Sequence, residues 1–571
     1  MSPRIYTSPY PDIPLPRTSV FTHIFASRRP GDVGGFPGAR KAFIDAASGA
    51  YITRAQLLDL ALAFAHGLRT HPDTRASRGD TVLIFSPNSL AWPVVLFGSV
   101  AAGLRCTTAN SAYTSRELAH QYVDSRARLL ITSEDGLGAV RAMFAELGVP
   151  RSEGDRRTIV MRRDLQWARG PAAESNPEAA GLLTMEDLLK GGKMRQEEQF
   201  AGDLSNETVF LCYSSGTTGK PKTTHLNTIS LLSIVAPCFP IMGPEDIMIS
   251  ILPFYHIYAL TQVLQLPLLY GLPVVIQSRF EPTEFCVNIE KYHATFSLIV
   301  PPVLVVLARH PAAGTHDLST LRWLCSGAAP LGKDLVQQTS FAVLFRDMTS
   351  TLRPAGYGLT ETSPTTHLLH SADAARKMGS IGPLLPNLEA RLVDDAGGTA
   401  VEAEEGSPGE LWIRGPSVMK GYLNNPTATT AAITPDGWFK TGDIAIRDRE
   451  GYYYIVDRQK ELIKYKLESV LLTHPDIADA AVIGVEDAAQ ATELPRAYVV
   501  HSNPDKIRTA AAKAAFADSV VKWMETKVAR HKFLRAGKCI LPAAGKILRR
   551  ELRDLAKREA AASPPKIVSK L

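Results

Sequence analysis

From residue 54 to residue 300, segments of helical period alternate with short β-rich runs, and this alternation constrains the fold more than any other feature. Residues 54–69 carry Leu57, Leu60, Ala61, Phe64 and Leu68 at helical spacing, with Thr53 placed as an N-cap. The β-rich run Thr81–Phe85 comes next, followed by helices near 91–104 and 115–125 and the apolar run Leu129–Thr132. The pattern resumes through Val209–Tyr213, Ile247–Leu252, Val274–Gln277 and Phe296–Val300. Strands separated by helices predict parallel sheets built from βαβ units. Residues 150–206 are polar and weakly periodic, so an exposed excursion is expected there. Past residue 380 the segments 388–393, 409–414 and 451–456 are short, Gly-bounded and β-like. From 457 a smaller α+β pattern begins, with a helix near 467–473, strands near 479–485 and 496–501, and a helix near 508–529. The expected architecture is a large α/β N-terminal domain, residues 1–456, in which sheets with flanking helices are joined by a β-rich subdomain. A smaller α+β C-terminal domain, residues 457–571, completes it, and the charged stretch Asp457–Lys466 sits where a linker or hinge would lie.

A chain of 571 residues is too long for one compact core, in keeping with that division. Its 45% apolar and 21% charged content is that of an ordinary soluble globular protein. The excess of 63 basic over 57 acidic residues, +6, does not announce a nucleic-acid partner. Six scattered cysteines without a Cys-x-x-Cys pair argue against a disulfide framework or a zinc site and fit a reducing compartment. The apolar run Val94–Leu104 is too short to span a bilayer, and Pro301 and Pro302 interrupt Phe296–Leu307, so both read as buried core and no membrane span is expected. The proline-rich start lacks the apolar stretch of a secretory signal. The final tripeptide, Ser569-Lys570-Leu571, matches the address read by the peroxisomal import receptor, which predicts a peroxisomal location and that receptor as a partner.

The chemistry is concentrated in a few motifs. YSSGTTGKPK, residues 213–222, follows a strand and packs Ser214, Ser215, Thr217, Thr218, Gly216, Gly219, Lys220 and Lys222 into one loop. Glycines let backbone N–H groups approach an anion, hydroxyls donate hydrogen bonds and lysines add charge, which makes a phosphate cradle. The spacing is not that of a Walker A loop. In GYGLTET, residues 356–362, Gly356, Tyr357 and Gly358 make a turn able to stack on a flat base. Thr360 can hold a phosphate oxygen or cap a helix, and Glu361 is a hard oxygen ligand suited to Mg2+. Asp443, in TGD at 441–443, suits two ribose hydroxyls, and Gly327, Ala328 and Ala329 in SGAAPL leave room for a ligand wall. His256, in LPFYHIYAL at 252–260, is by itself more ordinary as a satisfied core histidine. Lys546 lies in a basic run with Arg549, Arg550 and Arg553 that alone reads as a solvated helix face.

Together with DRQKELIKYK at 457–466 and GKILRR at 545–550, these motifs resemble, in order and spacing, those of the adenylate-forming superfamily. That superfamily comprises acyl-CoA synthetases, peptide-synthetase adenylation domains and beetle luciferases. The chain is most similar to the 4-coumarate–CoA ligase branch, including the peroxisomal acyl-CoA ligases of filamentous fungi. The resemblance implies an ATP-dependent acyl-CoA ligase of secondary metabolism that turns a small carboxylic acid into an acyl-adenylate and passes it to CoA, with ATP, CoA and Mg2+ as cofactors. It marks His256 as an aromatic gate, Tyr258, Ala328, Pro364 and Thr365 as acyl-pocket residues, and Asp443 with Arg458 as the ribose grip. Glu361 becomes the metal ligand and Lys546 the adenylation lysine. The small domain is expected to be mobile, hinged near Lys460, with Lys464 and Lys466 in a stretch that lines the pantetheine tunnel.

Aromatic acids of the cinnamate or phenylacetate kind and medium-chain or polyketide acids both remain open, and the polar Thr365 suits an oxygenated tail. The chain departs from the family where Lys466 runs straight into Leu467-Glu468 without the expected Gly-Phe-Gln-Val-x-Pro-x-Glu-like stretch. It also looks short between Lys222 and Thr224-His225 and between Arg535 and Gly545. Leu467 would then replace a glycine of the tunnel wall and narrow it. The alternative functions are an adenylating enzyme with impaired thioester formation and an inactive ATP-binding relic.

Overall fold

A computed structural model describes residues 4–174, 176–213, 222–236, 242–300, 303–304, 306–307, 310–327, 352–353, 356–373, 376–394, 401–458, 464–487, 492–527, 534, 538–541, 552 and 555. Two mainly parallel sheets dominate the larger part. The first runs in the order Leu183–Thr184, Thr158–Met161, Ala127–Ser133, Thr81–Phe85, Arg105–Ala109, Thr208–Cys212, Lys222–Thr224, and only the last strand is antiparallel to its neighbour. Thr81–Phe85 is buried at all five positions, as a near-continuous apolar run in a doubly covered sheet requires.

The second sheet runs Leu352–Arg353, Trp323–Ser326, Phe296–Ile299, Met248–Ser250, Val274–Ile276, Lys41–Asp45, Tyr51–Thr53, again parallel except for its last pair. The helices between strands start where their caps predict. Thr53 caps Arg54–Thr70 in a reciprocal box with Gln56, and Thr114 does the same for Ser115–Asp124 with Glu117. The apolar run at 94–104 forms most of helix Ala91–Ala101, buried along its whole length, and among the described residues no helix is long and apolar enough to cross a membrane. Cys106, Cys212, Cys286 and Cys325 are buried, and none of the four is in a disulfide.

One expectation needs an addition and one a correction. The weakly periodic stretch 150–206 is exposed over much of its length, as expected, but it also contributes helix Arg151–Arg156 and two strands of the first sheet, Thr158–Met161 and Leu183–Thr184, the latter at its edge. These strands are too short for alternation to register among the surrounding charges. Leu467 does not stand at a tunnel wall. It is fully buried in the core of the small domain with Leu471, Ile477, Val482, Val499 and Met524, and the neighbouring Glu468 Oε1 accepts a 2.6 Å hydrogen bond from the Val482 N–H.

That small core is built by helix Lys464–Leu471, strands Ile477–Asp487, Thr492–His501 and Lys538–Leu541, and helix Ala510–Glu525. A third, antiparallel sheet carries the expected strands Glu389–Asp394, Gly409–Arg414 and Tyr453–Arg458. It adds Tyr6–Thr7, Val401–Glu402 and the nine-residue Phe439–Arg447.

Candidate active site

In an α/β sheet the usual ligand side lies beyond the C-terminal ends of the parallel strands. Strand Thr208–Cys212 leads to Tyr213, and the chain returns on Lys222–Thr224 with Leu211 opposite Lys222. The phosphate-cradle residues Ser214, Ser215, Gly216, Thr217, Thr218, Gly219 and Lys220 lie outside the described residues, as do Ala328, Ala329, Lys546, Ser569, Lys570 and Leu571. Lys222, Arg458, Lys464 and Lys466 are placed by their backbone only. Both stems of the cradle are nevertheless visible. The Tyr213 hydroxyl donates to the Asp124 carboxylate. On the return side Thr224 caps helix His225–Val235 in a box with Asn227. Asn227 Nδ2 reaches across to the carbonyls of Pro416 (2.9 Å) and Val418 (2.8 Å).

The next residue of that loop, Met419, donates its N–H to the Glu361 carbonyl at 2.7 Å, and the Tyr422 hydroxyl donates to Glu361 Oε1 at 3.1 Å. One loop therefore ties the cradle's return helix to the candidate metal ligand. Thr360 opens the short turn Thr360–Thr362, half-buried like Glu361. Among the described residues no group of three or more His, Cys, Asp or Glu side chains could hold a metal ion. A lone half-buried carboxylate fits Mg2+ bound through one or two carboxylates together with substrate phosphates and water.

Strand Gly356–Gly358 pairs with Thr365–Leu368, and the Tyr357 hydroxyl donates to Asp443 Oδ2 at 2.6 Å. Asp443 is 2% exposed and lies directly opposite Arg458 in the register of strands Phe439–Arg447 and Tyr453–Arg458. Directly opposed residues in an antiparallel pair are near neighbours on one face of the sheet. The TGD motif is held inside its strand by the Gly442 N–H on Glu410 Oε1 (2.9 Å) and the Thr441 hydroxyl on the Leu411 carbonyl (2.6 Å).

His256 caps helix Ile257–Gln262, its Nδ1 accepting from the Tyr258 N–H at 3.2 Å. Tyr258 lies over Gly327, where an added Cβ would sit 2.8 Å from its hydroxyl oxygen. Burial, and the Cys325 thiol beside it, push the Tyr258 phenol well above its ordinary range. Burial likewise lifts Cys325 to about 12, while the Gly356 N–H hydrogen-bonds its sulfur. Tyr258, Gly327 and the GYGLTET strand thus meet. Thr365 and Pro364 are buried beside them, and Gln262 Nε2 donates to Thr365 Oγ1 at 3.4 Å.

Several residues here escaped the sequence reading: Gln262, Asn227, Tyr422, and the pair Asn88 and Thr108. Asn88, just past strand Thr81–Phe85, donates to the Leu252 (2.9 Å) and Gln277 (3.3 Å) carbonyls and accepts from the Phe254 N–H at 2.8 Å. Thr108 donates to the Tyr255 carbonyl at 2.7 Å. Their partners lie far away in sequence, so no local signal marked them.

Comparison with known proteins shows the family. The sequence model of the AMP-binding enzyme family matches residues 32–423, and that of the AMP-binding enzyme C-terminal domain matches residues 466–561. The chain is 34% identical to 4-coumarate–CoA ligase-like 4 of Oryza sativa subsp. japonica, over 97% of this chain and 96% of that protein. It is 31% identical to peroxisomal OPC-8:0-CoA ligase 1 of Arabidopsis thaliana, over 96% of this chain and 95% of that protein. In fold it is similar to the anthranilate CoA ligase AuaEII in complex with anthranoyl-AMP, with a TM-score of 0.74 at 20% identity, over 96% and 99% of the two chains. ATP-bound MatB from Rhodopseudomonas palustris gives a TM-score of 0.73 at 24% identity, over 94% and 99%.

Proposed function

The chain belongs to the AMP-binding enzyme family and is an ATP-dependent acyl-CoA ligase, and from that premise we propose how its own residues divide the work. The observation that supports this division is the Tyr357–Asp443 hydrogen bond with Arg458 opposite in register, which brings two distant motifs together. Tyr357 stacks on adenine, Asp443 and Arg458 take the ribose hydroxyls, and the cradle at 214–222 surrounds the phosphates. Glu361, with Thr360 beside it, would hold Mg2+, whose charge would offset that gathering on the phosphates. The substrate carboxylate, entering past His256, attacks the α-phosphorus in line and pyrophosphate leaves. Positioning and charge neutralisation supply most of the acceleration. Lys546 bridges the carboxylate and the α-phosphate in this first half-reaction. The small domain, residues 457–571, then turns about Lys460, Lys464 and Lys466 come to the pantetheine arm, and the CoA thiol displaces AMP.

Lys546→Ala is expected to slow pyrophosphate release about 10²–10³-fold, the usual loss for one positioned transition-state donor. Thioester formation from a supplied acyl-adenylate should change little, and equal loss in both halves would contradict the assignment. A peroxisomal location is proposed from Ser569-Lys570-Leu571 and from the peroxisomal relative. Truncation of that tripeptide should leave a tagged protein in the cytosol, and continued peroxisomal import would refute the signal.

A further inference from the structure

Gln262 ends helix Ile257–Gln262 one turn after Tyr258, so the two side chains leave the helix on one face. It is 3% exposed, yet its amide makes only one hydrogen bond among the described residues, the long one to Thr365 Oγ1 at 3.4 Å. A primary amide offers two donors and two acceptor positions, and burying most of them unused is unfavourable unless another group completes them. The nearby Gln265 also makes one, its Nε2 donating to the Leu260 carbonyl within its own segment, but its Oε1 is fully enclosed without a partner among the described residues. Gln262 instead reaches across to Thr365, which is 8% exposed and stands opposite Gly358 in the hairpin that carries Tyr357. Tyr258 on the same helix face packs over Gly327. Gln262 is therefore a polar, under-bonded group set among the residues proposed to receive the acyl chain.

We propose that Gln262, acting with Thr365, is a specificity-determining residue that recognises an uncharged hydroxyl or oxo group on the tail of the acid substrate. This rests on the acyl-CoA ligase reading above. A hydroxyl both donates and accepts, so it can satisfy the Gln262 carbonyl and the Thr365 hydroxyl together. A hydrocarbon tail would leave the Gln262 carbonyl and the Thr365 hydroxyl proton without a further partner. A second carboxylate would bring a charge that a neutral amide and a hydroxyl do not balance.

The test is pyrophosphate release by the full-length protein with matched acids: cinnamate against 4-hydroxycinnamate, and octanoate against 8-hydroxyoctanoate and octanedioate. In at least one pair the hydroxylated acid is expected to show kcat/KM about 10-fold or more above its parent, as sites built to hydrogen-bond a substrate hydroxyl do. Gln262→Leu should remove that advantage by lowering kcat/KM for the hydroxylated acid alone, with the KM for ATP unchanged. Thr365→Val should do the same and serves as the second variant if Gln262→Leu does not fold. Equal kcat/KM within both pairs in the natural protein, or a preference for octanedioate, would overturn the proposal while leaving the ligase reading intact. So would an undiminished ratio in a folded variant. Absence of pyrophosphate release with every acid would instead overturn the ligase reading, and this proposal with it.

Discussion

At Gly358 a Cβ would lie 2.0 Å from the carbonyl oxygen of Pro364, so the position accepts only glycine without a backbone shift. The glycine was legible in the motif, but this reason for it was not, because the clash comes from a chain reversal visible only in three dimensions. The neighbouring Tyr357 gives a direct test of the nucleotide grip. Tyr357→Phe keeps the ring but deletes the hydrogen bond to the buried Asp443. A hydrogen bond to a charged group contributes about 1.5–3 kcal/mol, so the KM for ATP is expected to rise about 10-fold or more. The KM for the acid should stay nearly constant. An unchanged KM for ATP in initial-rate measurements would remove Tyr357 and Asp443 from the nucleotide site. His256 shows the other side of residue-level reading. Its resemblance-based role is a gate, and the visible bond is a helix cap, a local task any histidine at that turn could perform. Gln262 and Asn88 were missed because one polar residue beside an apolar run carries no periodic signal and its partners lie far away in sequence.

Elements with a repeating pattern were the easiest to read. Thr81–Phe85, the capped helix Arg54–Thr70 and the strands near 274 and 296 fall where period and caps place them, since burial on one face or both imposes that period directly. Phe439–Arg447 was not legible as a strand. Its centre is Thr441-Gly442-Asp443, and Gly442 adopts φ +72°, so the motif reads as a turn. In the fold a register irregularity sits beside it between Ile444 and Ala445. Bulges of this kind re-aim a side chain, and the strand delivers Asp443 to Tyr357 there. Helix Lys464–Leu471 shows how a family comparison can mislead locally. The missing stretch suggested that Leu467 faces a tunnel, but burial of a leucine in the nearest available core outweighs its position in a motif.

For the molecule as a whole, the two sheets and the small domain followed from alternation and length, whereas the ties between sheets did not. Stability should depend on pH through histidines locked inside. Burial holds His225, with Arg78 adding repulsion, and His367 at about 3, against an ordinary value of 6.5. The unfolded chain takes up protons on both below about pH 6.5 while the folded chain does not. The unfolded state therefore binds more protons between pH 6.5 and 3, and folding stability falls as pH falls through that window. Each group is expected to cost on the order of 1–2 kcal/mol between pH 7 and pH 5. Urea unfolding midpoints at pH 7, 6 and 5 check this, and a flat profile would show that these histidines reach water in the native state. The hydrogen bonds of Asn88 and Thr108 have a different consequence. They run from the ends of first-sheet strands to the backbone of residues 252–255, which lead into helix Ile257–Gln262, proposed above to face the acid. An engineer who transplants that helix from a relative to change the acid it accepts would be moving half a joint. Without compatible residues at 88 and 108 the graft would arrive with its backbone unmoored, so useful exchanges must be made as a three-segment set.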